Sequence, residues 1–172
     1  MTGLFNRWEF ENRLGQLLND GKLHSLCYLD LDQLKVVNDT CGHNAGDELL
    51  RQVAKTLQAQ LRSADILARL GGDEFGVLLP NTTLEQAEKI AVNLNQSIRE
   101  YRFLWQDKVF FPGVSIGVTS FHSNRETLAQ IMSAADAACY AAKCQGRNRV
   151  QIHQLGDEHS TVNNGKWSGF QY

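Results

Sequence analysis

Apolar positions along this chain follow a helical period in some stretches and a strand-like period in others. Phe10, Leu14, Leu17 and Leu18 recur at helical spacing within residues 6–19, and Asp20-Gly21 ends the segment. The apolar run at residues 26–31 is expected to be a short buried strand that ends in acid, with Asp30 and Asp32 one residue apart. A short helical turn at 34–38 follows and closes near Gly42. After Gly46-Asp47-Glu48, the residues Leu49, Leu50, Val53, Leu57 and Leu61 mark a helix of about four turns.

Residues 66–70 and 75–80 read as two strands, and Gly71-Gly72-Asp73-Glu74 between them predicts a tight hairpin. A long helix is expected over 84–101, with Ala87, Ile90, Ala91, Leu94 and Ile98 on its inner face. Residues 109–121 read as one strand, in which Val114, Ile116 and Val118 alternate. A last helix over 127–143, capped by Gly146, leads to a final strand at 149–153. Helices and strands alternate without a strict βαβ repeat, which predicts an α/β fold with helices covering a mixed central sheet.

The apolar periodicity stops near residue 153, so one domain over 1–153 and a polar tail or linker over 154–172 are expected. A hydrophobic fraction of 42% and a charged fraction of 21% suit an ordinary globular domain. The formal net charge of −2 gives no basic field for nonspecific nucleic-acid binding. No apolar run nears the roughly 20 residues of a membrane span, and no signal-peptide pattern opens the chain. Cys27, Cys41, Cys139 and Cys144 form no CxxC pair, so reduced thiols and a cytoplasmic domain are expected.

Three carboxylates stand out. Asp30 and Asp32 end a strand, and Asp73 sits in a glycine turn. A hairpin beside the first strand can carry Asp30 and Asp73 to one sheet edge, where two hard oxygen ligands suit Mg²⁺. The bland alternative is that these acids merely end a strand and make a turn. Two adjacent glycines weigh against it, because they let the backbone approach a bulky ligand.

Gly71-Gly72-Asp73-Glu74-Phe75 spells GGDEF, and the chain resembles the GGDEF diguanylate cyclase family. Other blocks agree in order and spacing. Residues 2–7 are similar to TGLxNR, residues 30–39 to DxDxFKxxND, residues 42–47 to GHxxGD, and residues 143–148 to KxxGRN. Trp8 and Leu34 depart from the usual Arg and Phe. The resemblance implies a nucleotide-cyclase or polymerase-palm-like fold with about five strands.

It also implies an activity, the joining of two GTP molecules into cyclic di-GMP with release of pyrophosphate. Mg²⁺, with Mn²⁺ as the substitute, falls by resemblance to the side chains of Asp30 and Asp73 and the carbonyl of Leu31. Asp73 and Glu74 are then the catalytic pair, while Gly71 and Gly72 make room for the nucleotide. Asn38 and Asp47 match the family's guanine readers, although Asp47 before Glu48 also suits a helix N-cap. Lys35, Lys143 and Arg147 match its phosphate contacts, against a plain solvated surface as the alternative.

Arg62-Ser63-Ala64-Asp65 matches the RxxD product-inhibition motif, placing Arg62 and Asp65 on cyclic di-GMP. Asn93 and Asn95 stand where the family often adds an Arg, which implies weaker product binding or other contacts. Each half-site would hold one GTP, so catalysis needs a homodimer, and the isolated domain is expected to be a weakly active monomer. The chain begins inside its opening motif, as an excised domain would, whether or not its parent is membrane-anchored. Rival readings are a noncatalytic GTP- or cyclic di-GMP-binding module, accompanied by a phosphodiesterase domain, and a different nucleotide cyclase on a related sheet. The guanine-reading pair argues against the last.

Overall fold

The computed structural model of the chain describes residues 2–155. Its elements run α1 (Arg7–Leu17), β1 (Leu23–Leu31), α2 (Leu34–Cys41), α3 (His43–Ala59), β2 (Ile66–Arg69), β3 (Glu74–Leu79), α4 (Leu84–Arg99), β4 (Phe103–Trp105), β5 (Lys108–Phe110), β6 (Val114–His122), α5 (Leu128–Cys144) and β7 (Val150–Gln154). The central sheet has five strands in the order β2-β3-β1-β6-β7. Neighbours are antiparallel except β6 and β7, which α5 joins as a parallel crossover. The sheet is therefore mixed, as the alternation of elements implied.

Period-two patterning divides β1 between two cores. Cys27, Leu29 and Leu31 pack with Phe75, Val77 and Leu79 of β3 and with Val114, Ile116 and Val118 of β6, beneath α3 and α4. Leu26 and Tyr28 face the other way, into a second cluster with Phe10 and Leu14 of α1 and Ile131, Ala135 and Cys139 of α5. Both faces of β1 are covered, which is why its sequence reads as a continuous apolar run. Gly117 of β6 lies under α5. A Cβ there would run into the Ala135 carbonyl and the Cys139 amide, so only glycine lets this helix lie so close to the sheet.

The helix starts at Leu84 and Leu128 carry full capping boxes, Thr83 with Gln86 and Thr127 with Gln130. The loops at the far end of the sheet are tied by a buried histidine. His24 accepts from the Asn81 N–H at Nδ1 (2.9 Å) and bonds Asp20 through Nε2 (2.8 Å), while Ser123 Oγ also donates to Asp20 (2.8 Å). That hydrogen bond with His24 holds the Asp20 carboxyl down at about 2.

Three expectations change. The single strand over 109–121 is two elements, because Pro112-Gly113 interrupts it: β5 pairs with β4 in a separate two-stranded hairpin, and β6 begins at Val114. α3 begins at His43, not near Glu48, so Asp47 lies inside the helix and is not its N-cap. The last helix runs one residue past Lys143 and its C-cap is Gln145, with Gly146 following at φ 118°. The tail expected over 154–172 lies outside the described residues, except for Gln154, which closes β7, and Leu155.

Candidate active site

The antiparallel register of β1 and β3 places Asp30 directly opposite Glu74, with Asp73 at the tip of the β2–β3 hairpin. Main-chain bonds fix that tip: the Leu31 N–H donates to the Asp73 carbonyl (2.8 Å), and the Leu70 N–H donates to the Glu74 carbonyl (2.8 Å). Asp30, Asp73 and Glu74 each offer a carboxylate oxygen, and these oxygens all lie within 4.8 Å of one another. Hard anionic oxygens gathered this closely can hold a divalent cation.

Asp30 is the buried member of the set, only 3% exposed. Lys143 reaches over from the last turn of α5, its Nζ 2.6 Å from Asp30 Oδ2. Burial nevertheless raises the Asp30 carboxyl to about 7 against the pull of Lys143, and the negative charge of Asp73 adds to the rise. Lys143 is thus the cation paired directly with the buried member of the acidic set.

Two residues that sequence reasoning passed over hold Glu74. Tyr28 lies two residues before Asp30 on the same face of β1, and its hydroxyl donates to Glu74 Oε2 (2.9 Å). Arg7, at the start of α1, donates to the Tyr28 hydroxyl (3.2 Å) and to the Leu70 carbonyl (3.3 Å), and lies 3.7 Å from Glu74. Burial and the charge of Glu74 push the Tyr28 phenol well up, so it stays a donor. The i, i+2 relation of Tyr28 to Asp30 was the available signal. Arg69 is a third such residue: its guanidinium donates to the carbonyls of Gly71 (3.0 Å) and Gly72 (2.8 Å) and braces the glycine turn.

Asn38 of α2 packs against Gly46 of α3, one residue before Asp47, so the two expected base readers belong to adjoining elements. Asn38 Oδ1 is buried without a hydrogen-bond partner. Lys35 is exposed in the first turn of α2. Arg147 is exposed in the loop after α5, in a left-handed conformation at φ 63°.

Three residues lie elsewhere. Arg62 and Asp65 occupy the turn before β2, at the end of the β2–β3 hairpin opposite the acidic tip. There Arg62 grips the Asp65 carboxylate (2.8 Å) and Thr82 Oγ1 (2.9 Å). Asp32 does not join the acidic cluster. Its oxygens accept from Ser115 Oγ (2.7 Å) and the Asn148 N–H (3.0 Å).

Comparison with known proteins points to one family. The family model described as "Diguanylate cyclase, GGDEF domain" matches residues 1–149. The chain is 45% identical over 158 residues to the probable diguanylate cyclase DgcE of Escherichia coli K12, covering 90% of this chain and 14% of that protein. It is 38% identical over 173 residues to the cyclic di-GMP phosphodiesterase PdeB of Shewanella oneidensis, covering 98% of this chain and 20% of that protein. The crystal structure of the GGDEF domain of PA1120 (YfiN or TpbB) from Pseudomonas aeruginosa superposes with a TM-score of 0.84 at 35% identity, covering 90% of this chain and 99% of that one. The chain spans well under half the length of both curated relatives. With the GGDEF turn placed beside Asp30, the family model matched over residues 1–149 and a solved member superposing over 90% of the chain, this chain belongs to the diguanylate cyclase GGDEF domain family.

Proposed function

We propose that this chain is a working diguanylate cyclase domain, condensing two GTP molecules into cyclic di-GMP and two pyrophosphates. The observation that carries the reading is the convergence of Asp30, Asp73 and Glu74 within 4.8 Å at the tip of a glycine turn. The donor set fits Mg²⁺, or Mn²⁺ in its place: hard carboxylate oxygens only, gathered at one point. Asp30 and Asp73, with the Leu31 carbonyl, would hold the ion, which when bound supplies charge neutralisation at the α-phosphate.

The remaining work falls to the chain's own residues. Asp73, helped by Glu74, draws the proton from a ribose 3′-hydroxyl as that oxygen attacks the α-phosphate of the second GTP and pyrophosphate leaves. Lys35, Lys143 and Arg147 bind the phosphates, and positioning with charge neutralisation lowers the barrier. Gly71 and Gly72 admit the nucleotide to the turn. Asn38 and Asp47 read the guanine edge, and the unpartnered Asn38 Oδ1 supports this, since a buried acceptor calls for a donor. Arg62 and Asp65 bind product at the far end of the hairpin and limit turnover. Two copies must face each other, because each supplies one GTP.

Incubation of the purified protein with Mg²⁺ and GTP, followed by nucleotide chromatography, tests the proposal. Cyclic di-GMP should accumulate, more so when the domain is artificially dimerised, and Asp73→Ala should abolish it. Binding of GTP without any cyclic di-GMP in the dimerised protein would refute it.

A further inference from the structure

The loop after α5 adopts a costly shape. Gly146, Arg147 and Asn148 all have positive φ, at 118°, 63° and 49°, and only the first is glycine. Left-handed backbone is unfavourable at a non-glycine residue, more so at Arg than at Asn, so the surroundings must hold this conformation.

Asn148 is gripped at three atoms. Its N–H donates to Asp32 Oδ2 (3.0 Å), its Oδ1 accepts from Asn95 Nδ2 (3.2 Å), and its carbonyl accepts from Arg99 (3.3 Å). Asp32 is itself fixed. Ser115 Oγ donates to its other oxygen (2.7 Å), and its own N–H donates to the Gly113 carbonyl (2.9 Å). Asn95 is anchored to the sheet at the Val114 carbonyl (2.9 Å) and is 5% exposed. Gly113 leaves just enough space for this junction, since a Cβ there would press on both Asn148 and Asp32.

We propose that Asp32, together with Asn95, is a positioning residue for nucleotide binding: it clamps Asn148 and so holds Arg147 where it meets the triphosphate. The inference rests on the reading of Arg147 as a phosphate contact. It gives Asp32 a task separate from metal binding, although Asp30 is its near neighbour in sequence. The need is for an acceptor facing the Asn148 amide, not for a negative charge. An asparagine meets that need, with Oδ1 toward Asn148 and its Nδ2 donating to Ser115 Oγ.

The test titrates the protein with 3′-deoxy-GTP, which lacks the attacking hydroxyl, and with guanosine, which lacks phosphates, followed by ¹⁵N NMR spectra that also report folding. Asp32→Ala should weaken 3′-deoxy-GTP binding about tenfold and leave guanosine binding unchanged. Asp32→Asn should restore most of the loss, and Asp32→Ala added to Arg147→Ala should weaken 3′-deoxy-GTP no further than Arg147→Ala alone. Should Asp32→Ala not fold, Asn95→Ala carries the same expectation.

Three results overturn the inference: undiminished 3′-deoxy-GTP binding in Asp32→Ala, equal loss of both ligands, or an Asp32→Asn variant as impaired as the alanine. A wild-type protein that binds 3′-deoxy-GTP yet makes no cyclic di-GMP from GTP would overturn the proposed function and leave the clamp standing. One that binds neither ligand overturns both.

Discussion

Replacing Gly46 by alanine should separate stability from nucleotide binding. Gly46 lies inside α3, where alanine is favoured over glycine by about 1 kcal/mol. The atoms nearest the new methyl group belong to the Asn38 side chain, whose Oδ1 and Cγ stand where the Cβ must go. Asn38 is not backbone; its side chain can rotate away, at a rotamer cost of about 0.5–1.5 kcal/mol. Its Oδ1 is buried without a partner, so rotation toward water also regains hydration worth about 1–3 kcal/mol.

These contributions sum to a fold that is unchanged or slightly more stable, measurable as an equal or higher urea midpoint. With Asn38 at the base as proposed, guanine recognition should suffer by the loss of one hydrogen bond worth about 1–1.5 kcal/mol, or close to tenfold in affinity. Titration with guanosine and with 3′-deoxy-GTP reads this directly, and both should weaken together. Unchanged guanosine affinity would refute the placement of Asn38 at the base. A drop of several kcal/mol in stability would refute the claim that Asn38 can yield.

Other expectations follow from the charges and close contacts. In the metal-free protein Asp30 rises from 3.8 to about 7, so the folded state binds the extra proton and stability falls as pH climbs between those values. Asp30→Asn should lack that fall, the difference amounting to at most about 4 kcal/mol by urea unfolding at pH 4 and pH 8 in chelator. For the same reason Mg²⁺ affinity should increase with pH up to about 7 and then level off, by calorimetry. Asp20 is shifted the opposite way, to about 2, so the advantage of wild type over Asp20→Asn should hold above pH 4 and vanish as pH falls toward 2 in acid-unfolding curves. Gly117→Ala drives a methyl into the backbone of α5 and should cost about 1–3 kcal/mol or more by urea unfolding; full stability would contradict the packing.

The strands and the acidic turn were legible because short-range rules govern them. A doubly buried strand leaves an unbroken apolar run, and Gly71-Gly72 leaves a mark in five residues. The β4–β5 hairpin was not legible. Each strand has three residues, Leu104 and Val109 face solvent, and the apolar stretch continues across Pro112-Gly113 as though nothing broke there. The start of α3 was hidden because Gly42 ends one helix and begins the next, and the first residues of α3, His43 and Asn44, are polar and exposed. The supports of the site were hidden for a third reason. Arg7 finds Glu74 from 67 positions away and Asp32 finds Asn148 from 116, so no local pattern records them, and Tyr28, 46 positions from Glu74, is marked only by its i, i+2 relation to Asp30.

The pairing of Asp30 with Glu74 across β1 and β3 has a consequence for how such a domain can change over time. Strand register moves only in whole residues, and one step turns every side chain of the moved strand to the opposite face. An inserted or deleted residue that shifted β3 against β1 would carry the hairpin tip away from Asp30, even with every acid retained. Loops such as that between β6 and α5 can gain or lose residues freely by comparison. A single-residue deletion between Leu29 and Asp32 or between Arg69 and Phe75 should therefore disable the site as surely as loss of Asp73, while the loop between β6 and α5 tolerates such changes.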